Sequence, residues 1–126
     1  MSSKNSIDLA PLEQVSTTTL TAPGRRSGQP RSATIWFVVV DGRFYVGSLR
    51  DDRDWIRNAM KAKRIELVVG ETRLQGSFCP VDQLAEIGAV QDALRSKYLG
   101  ARIAGWFGKK QKFIFRVDDL ELTPAG

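Results

Sequence analysis

Histidine is absent from this chain of 126 residues, and cysteine occurs once, as Cys79. The lack of histidine excludes Ser-His-Asp triads, histidine general bases and histidine-ligated metals. A single cysteine cannot form an internal disulfide or a multi-cysteine zinc site, which fits a reduced location. No apolar run approaches the ~20 residues needed to span a bilayer, and no signal peptide is visible. We therefore expect a cytoplasmic protein with no metal site and no membrane span.

The remaining composition is that of a globular domain with an excess of basic residues. Hydrophobic residues make up 42% of the chain and charged residues 26%, which is an ordinary balance. The length predicts one domain, which we place at residues 13–126, after a polar N-terminal segment at residues 1–12. The net charge of +5 favours anionic partners, namely phosphorylated cofactors, nucleic acid or an acidic membrane face.

Residue patterning predicts six strands and two main helices. The strands are expected at Val15–Thr21, Arg31–Val40, Arg43–Leu49, Arg64–Val69, Arg73–Cys79 and Lys112–Leu122. The helices are expected at Asp54–Lys61 and Val81–Leu99, with a further short helix or loop at Ala101–Lys110. Strands joined mostly as hairpins, with few helices, predict a mainly β (α+β) fold that forms a small antiparallel barrel.

The Asp41-Gly42 turn sets the register of the hairpin between the second and third strands. The predicted pairs are Val40 with Arg43, Val39 with Phe44, Phe37 with Val46, Trp36 with Gly47, and Ile35 with Ser48. Both faces of this hairpin are apolar, and the outer face carries Trp36, Val38, Val40 and Tyr45. A helix, a second subunit or a flat ring system has to cover the outer face. Because the helical segments are few, we predict a homodimer.

A basic loop follows the first predicted strand. It reads Gly24-Arg25-Arg26-Ser27-Gly28-Gln29-Pro30-Arg31, with three arginines inside seven residues. Glycine allows a tight turn, and guanidinium groups with backbone N–H groups bind anions. The loop is thus either a phosphate-binding loop or a solvated basic hairpin turn.

This loop and the segments after it resemble the deazaflavin (coenzyme F-420)-dependent nitroreductase family. The likeness covers about residues 15–75. It rests on Thr17-Thr18-Thr19, the basic loop, Asp41-Gly42, Tyr45-Val46-Gly47-Ser48 and Trp55-Ile56-Arg57-Asn58. The resemblance implies a six-stranded split β-barrel related to pyridoxamine 5′-phosphate oxidases, with flanking helices, a flavin-type cofactor and a homodimeric assembly.

The resemblance also implies which residues contact the cofactor. Four match positions around its phosphate-bearing tail: Arg25, Arg26, Ser27 and Arg31. Three match the strand along its ring system: Thr34, Ile35 and Trp36. Four match further positions of the pocket: Gly47, Ser48, Trp55 and Asn58. A core packing role is the alternative for Trp36 and Trp55.

The implied activity is hydride transfer from reduced coenzyme F-420 to an electron-poor small molecule, with FMN as the alternative cofactor. Ser48 is the candidate hydrogen-bond donor in the reaction. Tyr98 is a second candidate, although its place on the apolar side of its helix favours packing. The rival classes are a nucleic-acid-binding barrel and a cofactor-free interaction or storage protein. We expect no nucleic-acid partner, because the aromatic residues Phe37 and Phe44 fall on the core face.

Overall fold

The computed structural model describes residues 7–99 and 112–123. After a short 3-10 helix at Ala10–Leu12, the strands are β1 (Thr17–Pro23), β2 (Pro30–Val40), β3 (Arg43–Ser48), β4 (Arg64–Val69), β5 (Thr72–Pro80) and β6 (Phe113–Leu122). The helices are α1 (Asp54–Ala62), between β3 and β4, and α2 (Leu84–Leu99), between β5 and β6. The predicted helix or loop at Ala101–Lys110 lies outside the described residues.

The six strands close into one antiparallel barrel in the order β1-β2-β3-β6-β5-β4. Alternate residues of each strand point inward and build the core, as the two-residue period of a strand requires. Phe37, Phe44, Val46 and Leu67 are fully buried there. Leu9 and Leu12, from the segment predicted as polar, pack into the same core. The predicted fold class is confirmed.

The predicted register of the central hairpin is confirmed for its turn-proximal part. The ladder runs from Val40 opposite Arg43 to Phe37 opposite Val46. The ladder between β1 and β2 continues much further, to Pro23 opposite Pro30. One edge of β2, from Pro30 to Trp36, therefore extends beyond the ladder that β3 forms with it. At this end of the closed barrel, β2 and β3 are therefore no longer paired.

Helix α2 covers the outer face of the hairpin. Val38 and Tyr45 on this face pack with Val90, Leu94 and Tyr98 of the helix, and Val38 is only 6% exposed. The argument that this face needs a second subunit is therefore wrong, because the chain covers it itself. Assembly as a homodimer stays a prediction.

The start of α2 also differs from the prediction. The helix begins at Leu84, and Val81 instead donates its backbone N–H to the Ile114 carbonyl at 3.0 Å. Leu84 is 85% exposed and does not contribute to the predicted apolar side. Glu86 fixes the first turn by accepting hydrogen bonds from the Tyr45 hydroxyl at 2.5 Å and Arg116 Nη1 at 2.7 Å. Neither helix of the described ranges is long and apolar enough to cross a membrane.

Candidate functional site

A groove with two compartments lies where β2 and β3 separate. The outer compartment has a volume of about 600 Å³ and is lined by the basic loop, the start of β2 and the first turns of α1. The inner compartment, of about 380 Å³, is lined by Ala33–Trp36, Gly47–Leu49, Arg53 and Trp55. Ala33, Arg53 and Trp55 line both. Every residue that the resemblance assigns to the cofactor lines one compartment or the other, and the expected pairs Trp36–Gly47 and Ile35–Ser48 flank the inner one.

The basic loop is compact because its backbone bonds across its own turn. Gly24 donates its N–H to the Gln29 carbonyl at 2.8 Å, and Gly28 donates to the Gly24 carbonyl at 2.9 Å. A side chain at Gly24 would place its Cβ 2.9 Å from Ser27 Oγ, so the Ser27 hydroxyl would have to move to admit it. Ser27 Oγ accepts the Gln29 N–H at 3.1 Å. The Ser27 hydroxyl thereby keeps its proton to donate to another acceptor.

Arg25 attaches the loop to α1. Asn58 Oδ1, on a side chain that is 5% exposed, accepts both the Arg25 backbone N–H at 3.1 Å and Arg25 Nη1 at 2.9 Å. Arg25 Nη2 lies 3.3 Å from Asp54 Oδ1, and Lys61 Nζ donates to the Arg25 carbonyl at 2.9 Å. Arg25 and Asn58, both predicted as cofactor contacts, thus have partners inside the chain. They hold the loop in place.

Three other arginines of the groove are exposed and have no side-chain partner in residues 7–99 and 112–123. Arg26 and Arg31 line the outer compartment, and Arg53 lines both compartments. Unpaired guanidinium groups facing one groove form a strong site for an anion. Sequence reasoning did not include Arg53 among the cofactor contacts. The available signal was its position directly before Asp54, where α1 begins.

The walls of the inner compartment are partly aromatic. Trp36 stacks on Tyr98 with ring centroids 4.7 Å apart, and Trp55 makes edge contacts with Phe78 and Phe115 at 6.2 Å. Both tryptophans therefore pack against other aromatic rings and also line the compartment. The packing and pocket roles that the sequence left as alternatives are compatible for these two residues.

Ser48 does not offer a free proton to the groove. Its hydroxyl donates to the Arg50 carbonyl at 2.6 Å, and its Oγ accepts the Arg50 N–H at 3.1 Å. This local turn ends β3 and uses the only hydrogen that the side chain could donate. The prediction of Ser48 as a donor is therefore corrected: Ser48 lines the inner compartment but its proton is engaged.

Tyr98 has a structural role. Its side chain is 1% exposed. Its hydroxyl accepts the Phe37 N–H at 3.0 Å and lies within donating distance of the Ser16 carbonyl, 2.6 Å, and the Phe37 carbonyl, 2.8 Å. Burial raises the pKa of Tyr98 to about 12. The hydroxyl links β2 to the residue preceding β1, which corrects its selection as a catalytic candidate and agrees with the packing alternative.

Solved structures share this fold. A candidate pyridoxamine 5′-phosphate oxidase from Listeria innocua aligns with a TM-score of 0.64 at 15% identity, over 93% of this chain and 95% of that one. An FAD-binding protein from Mesorhizobium loti aligns with a TM-score of 0.56 at 15% identity, over 86% of each chain. HutZ, the heme storage protein from Vibrio cholerae, aligns with a TM-score of 0.61 at 17% identity, over 92% of this chain and 95% of that one.

A protein of unknown function from Agrobacterium tumefaciens aligns with a TM-score of 0.65 at 16% identity, over 89% of this chain. The present chain spans about half of that protein, 52% of its length. These likenesses establish the pyridoxamine 5′-phosphate oxidase-like split barrel and do not single out the deazaflavin-dependent nitroreductases.

Sequence comparison places the chain in a bacterial family. No curated protein matches it. Residues 8–112 match the profile of a family described as uncharacterized protein conserved in bacteria, DUF2255, and the chain belongs to this family.

Proposed function

We propose that this protein binds a phosphate-bearing, flavin-type cofactor, with its anionic tail toward the outer compartment and the ring in the inner compartment. One observation carries the proposal: a single groove joins three arginines, which have no side-chain partner in the described part of the chain, to a compartment with apolar and aromatic walls. Such a combination of a charged end and an apolar end matches a molecule with an anionic tail and a flat ring system.

The residues present fit such a group in size and chemistry. Each compartment is within the range of about 300–1,000 Å³ that ligand pockets occupy. Ile35, Trp36 and Trp55 provide apolar surface for a ring. The edge of β2 beyond the β3 ladder offers backbone N–H and C=O groups to the polar atoms of a ring. The Ser27 hydroxyl and the Arg26 and Arg31 guanidinium groups suit a phosphate.

The chain's part in a reaction would be binding and orientation. When bound, a cofactor of this class supplies hydride-transfer chemistry, which the protein has no need to perform itself. Arg26 and Arg31 would offset the charge of the anionic tail, and Trp36 and Trp55 would restrict the ring. Because the Ser48 proton is engaged, backbone N–H groups at the β2 edge are the donors best placed for developing negative charge.

Within this proposal, coenzyme F-420 is the first candidate, and its hydride acceptor would be an electron-poor small molecule. The unpaired arginines suit its long anionic tail. FMN is the second candidate, since it also combines a phosphate with a ring of similar shape. The FAD-binding structural neighbour supports a flavin-type cofactor in general.

Haem is the cofactor that another neighbour, HutZ, suggests. This chain has no histidine to ligate the iron. Cys79 lines a different pocket, with Met60 and Pro80. Burial and the nearby Asp118 raise the pKa of the Cys79 thiol, which disfavours the thiolate that would bind iron. The flavin-type assignment is therefore the better supported one.

Titration of the purified protein with F-420, FMN and haemin tests the proposal. We expect saturable binding of F-420 or FMN with a micromolar dissociation constant, followed by fluorescence. Arg26→Ala should weaken F-420 binding about tenfold or more, because it removes a charge-assisted contact to the anionic tail of that cofactor. Arg73→Ala is the matched control, since Arg73 is exposed on β5 away from both compartments.

The same titration can reject the proposal. Absence of saturable binding of F-420 and FMN at about 100 µM would reject it, because matched phosphate and ring contacts give micromolar affinity or better. Saturable binding of haemin alone would also reject the proposal and would favour a haem-binding function. Light scattering of the same samples tests the predicted homodimer, and a species near the 14.0 kDa chain mass would contradict it.

A further inference from the structure

We infer that Arg53 is the specificity-determining residue of the groove: it binds the anionic group nearest the ring, whereas Arg26 and Arg31 bind a second anionic group further out. The inference rests on the proposed function. Beyond that function, the groove has two positions for anionic groups, and different arginines bind at each position.

The position of Arg53 separates it from the other two arginines. Arg53 lines both compartments, whereas Arg26 and Arg31 line the outer compartment and not the inner one. An anion held by Arg53 therefore lies at the junction, next to the ring position. An anion held by Arg26 and Arg31 lies toward the basic loop.

The two carboxylates directly before and after Arg53 in sequence are already paired with other arginines. Asp52 receives two hydrogen bonds from Arg50, at 2.9 and 2.6 Å. Asp54 lies 3.3 Å from Arg25 Nη2. Arg53 itself is exposed and makes no ion pair within the described ranges. The two carboxylates that flank it in sequence thus leave its guanidinium group free for a ligand.

The backbone around Arg53 adds to the positive potential at the junction. Arg53 precedes the first turn of α1, in an extended conformation with φ −67° and ψ 141°, and its side chain does not cap the helix. Its carbonyl accepts the N–H groups of Ile56 and Arg57. The earlier N–H groups of the helix have no partner within the helix, and the positive end of the helix dipole lies here.

Flavins with an increasing number of phosphates separate the two positions. Riboflavin carries no phosphate, FMN carries one at the end of its ribityl chain, and FAD carries a second one beyond it. If Arg53 binds the phosphate nearest the ring, it determines the preference for FMN over riboflavin. If Arg26 and Arg31 bind the second, outer phosphate, they determine the affinity for FAD and contribute less to the preference for FMN over riboflavin.

The experiment measures dissociation constants of riboflavin, FMN and FAD for the wild type, Arg53→Gln, Arg26→Gln and the control Arg73→Gln. We expect the wild type to prefer FMN over riboflavin by about tenfold or more, as a charge-assisted contact implies. Arg53→Gln should remove this preference and leave riboflavin affinity within about twofold. Arg26→Gln should keep the preference and weaken FAD, and Arg73→Gln should change neither.

Several results would overturn the inference. One is an equal loss of riboflavin and FMN affinity in Arg53→Gln, and another is loss of the FMN preference in Arg26→Gln but not in Arg53→Gln. Both leave the proposed function standing, because FMN still binds the wild type. Failure of the wild type to bind FMN, FAD and F-420 rejects the inference and the proposed function together. Arg53→Gln should keep the wild-type melting temperature, since the exposed side chain has no partner to lose within residues 7–99 and 112–123.

Discussion

Replacing Asn58 by alanine should destabilise the protein, because Asn58 holds the basic loop on α1. Its Oδ1 atom accepts one hydrogen bond from the Arg25 backbone and one from the Arg25 guanidinium group, at 3.1 and 2.9 Å. A neutral hydrogen bond contributes about 0.5–1.5 kcal/mol, and one to a charged group about 1.5–3 kcal/mol. Arg25 is partly exposed, so water replaces part of the loss.

We therefore expect Asn58→Ala to lower the free energy of unfolding by about 2 kcal/mol, toward the low end of the summed contributions. For a chain of this length, that corresponds to a fall in melting temperature of about 6–10 °C. Thermal unfolding followed by circular dichroism measures the change. Binding of F-420 to the same variant should also weaken, because the loop that carries Arg26 loses its attachment to α1.

Asn58→Asp is the matched control. The aspartate keeps an oxygen at the Oδ1 position and faces the Arg25 guanidinium group, so the melting temperature at pH 7 should remain near that of the wild type. The reasoning is refuted if Asn58→Ala melts within about 2 °C of the wild type, since typical hydrogen-bond energies require a larger change. It is also refuted if Asn58→Asp and Asn58→Ala lose equal stability.

Further predictions concern residues away from the groove. Tyr98→Phe removes the hydroxyl that accepts the Phe37 N–H, so the free energy of unfolding, measured by chemical denaturation, should fall by about 1–3 kcal/mol. A fall of less than about 0.5 kcal/mol would contradict this role of the hydroxyl. Gly76→Ala would place a Cβ 2.7 Å from the Asp118 carbonyl oxygen, so its melting temperature should fall clearly, and a wild-type value would contradict the close contact. Burial lowers the pKa of Lys97 from 10.5 to about 8, so the folded state binds fewer protons than the unfolded state between these values. Wild-type stability should therefore rise relative to Lys97→Met from pH 8 to pH 10, measured by denaturant unfolding, and a constant difference would argue against it.

The elements of the barrel could be predicted because their signals are local. The two-residue alternation of apolar residues marks the strands, and a hairpin turn such as Asp41-Gly42 needs positive φ at both positions, which the structure shows as 53° and 73°. The register of the neighbouring strands follows from that turn. The start of α2 was predicted too early, because Val81 bonds to Ile114, a residue far away in sequence.

The residues of the candidate site could be located from the sequence, but their individual roles could not. Arg25 and Arg26 are identical neighbours, and sequence reasoning assigned both to a phosphate. Whether a guanidinium group is free depends on Asn58, which lies 33 positions from Arg25 along the chain. The role of Ser48 could not be predicted either, because its hydroxyl donates to the Arg50 carbonyl only when the chain turns there.

By itself, the sequence determined the strands, the central turn and the exclusion of histidine chemistry, because composition, side-chain period and turn preference act over a few residues. Only the tertiary structure decided that α2 covers the outer face of the hairpin and that β2 and β3 separate into a groove. It also decided that Arg25 is paired whereas Arg26, Arg31 and Arg53 have no side-chain partner among the described residues. These features depend on contacts between distant segments, and such contacts form only when the whole barrel closes.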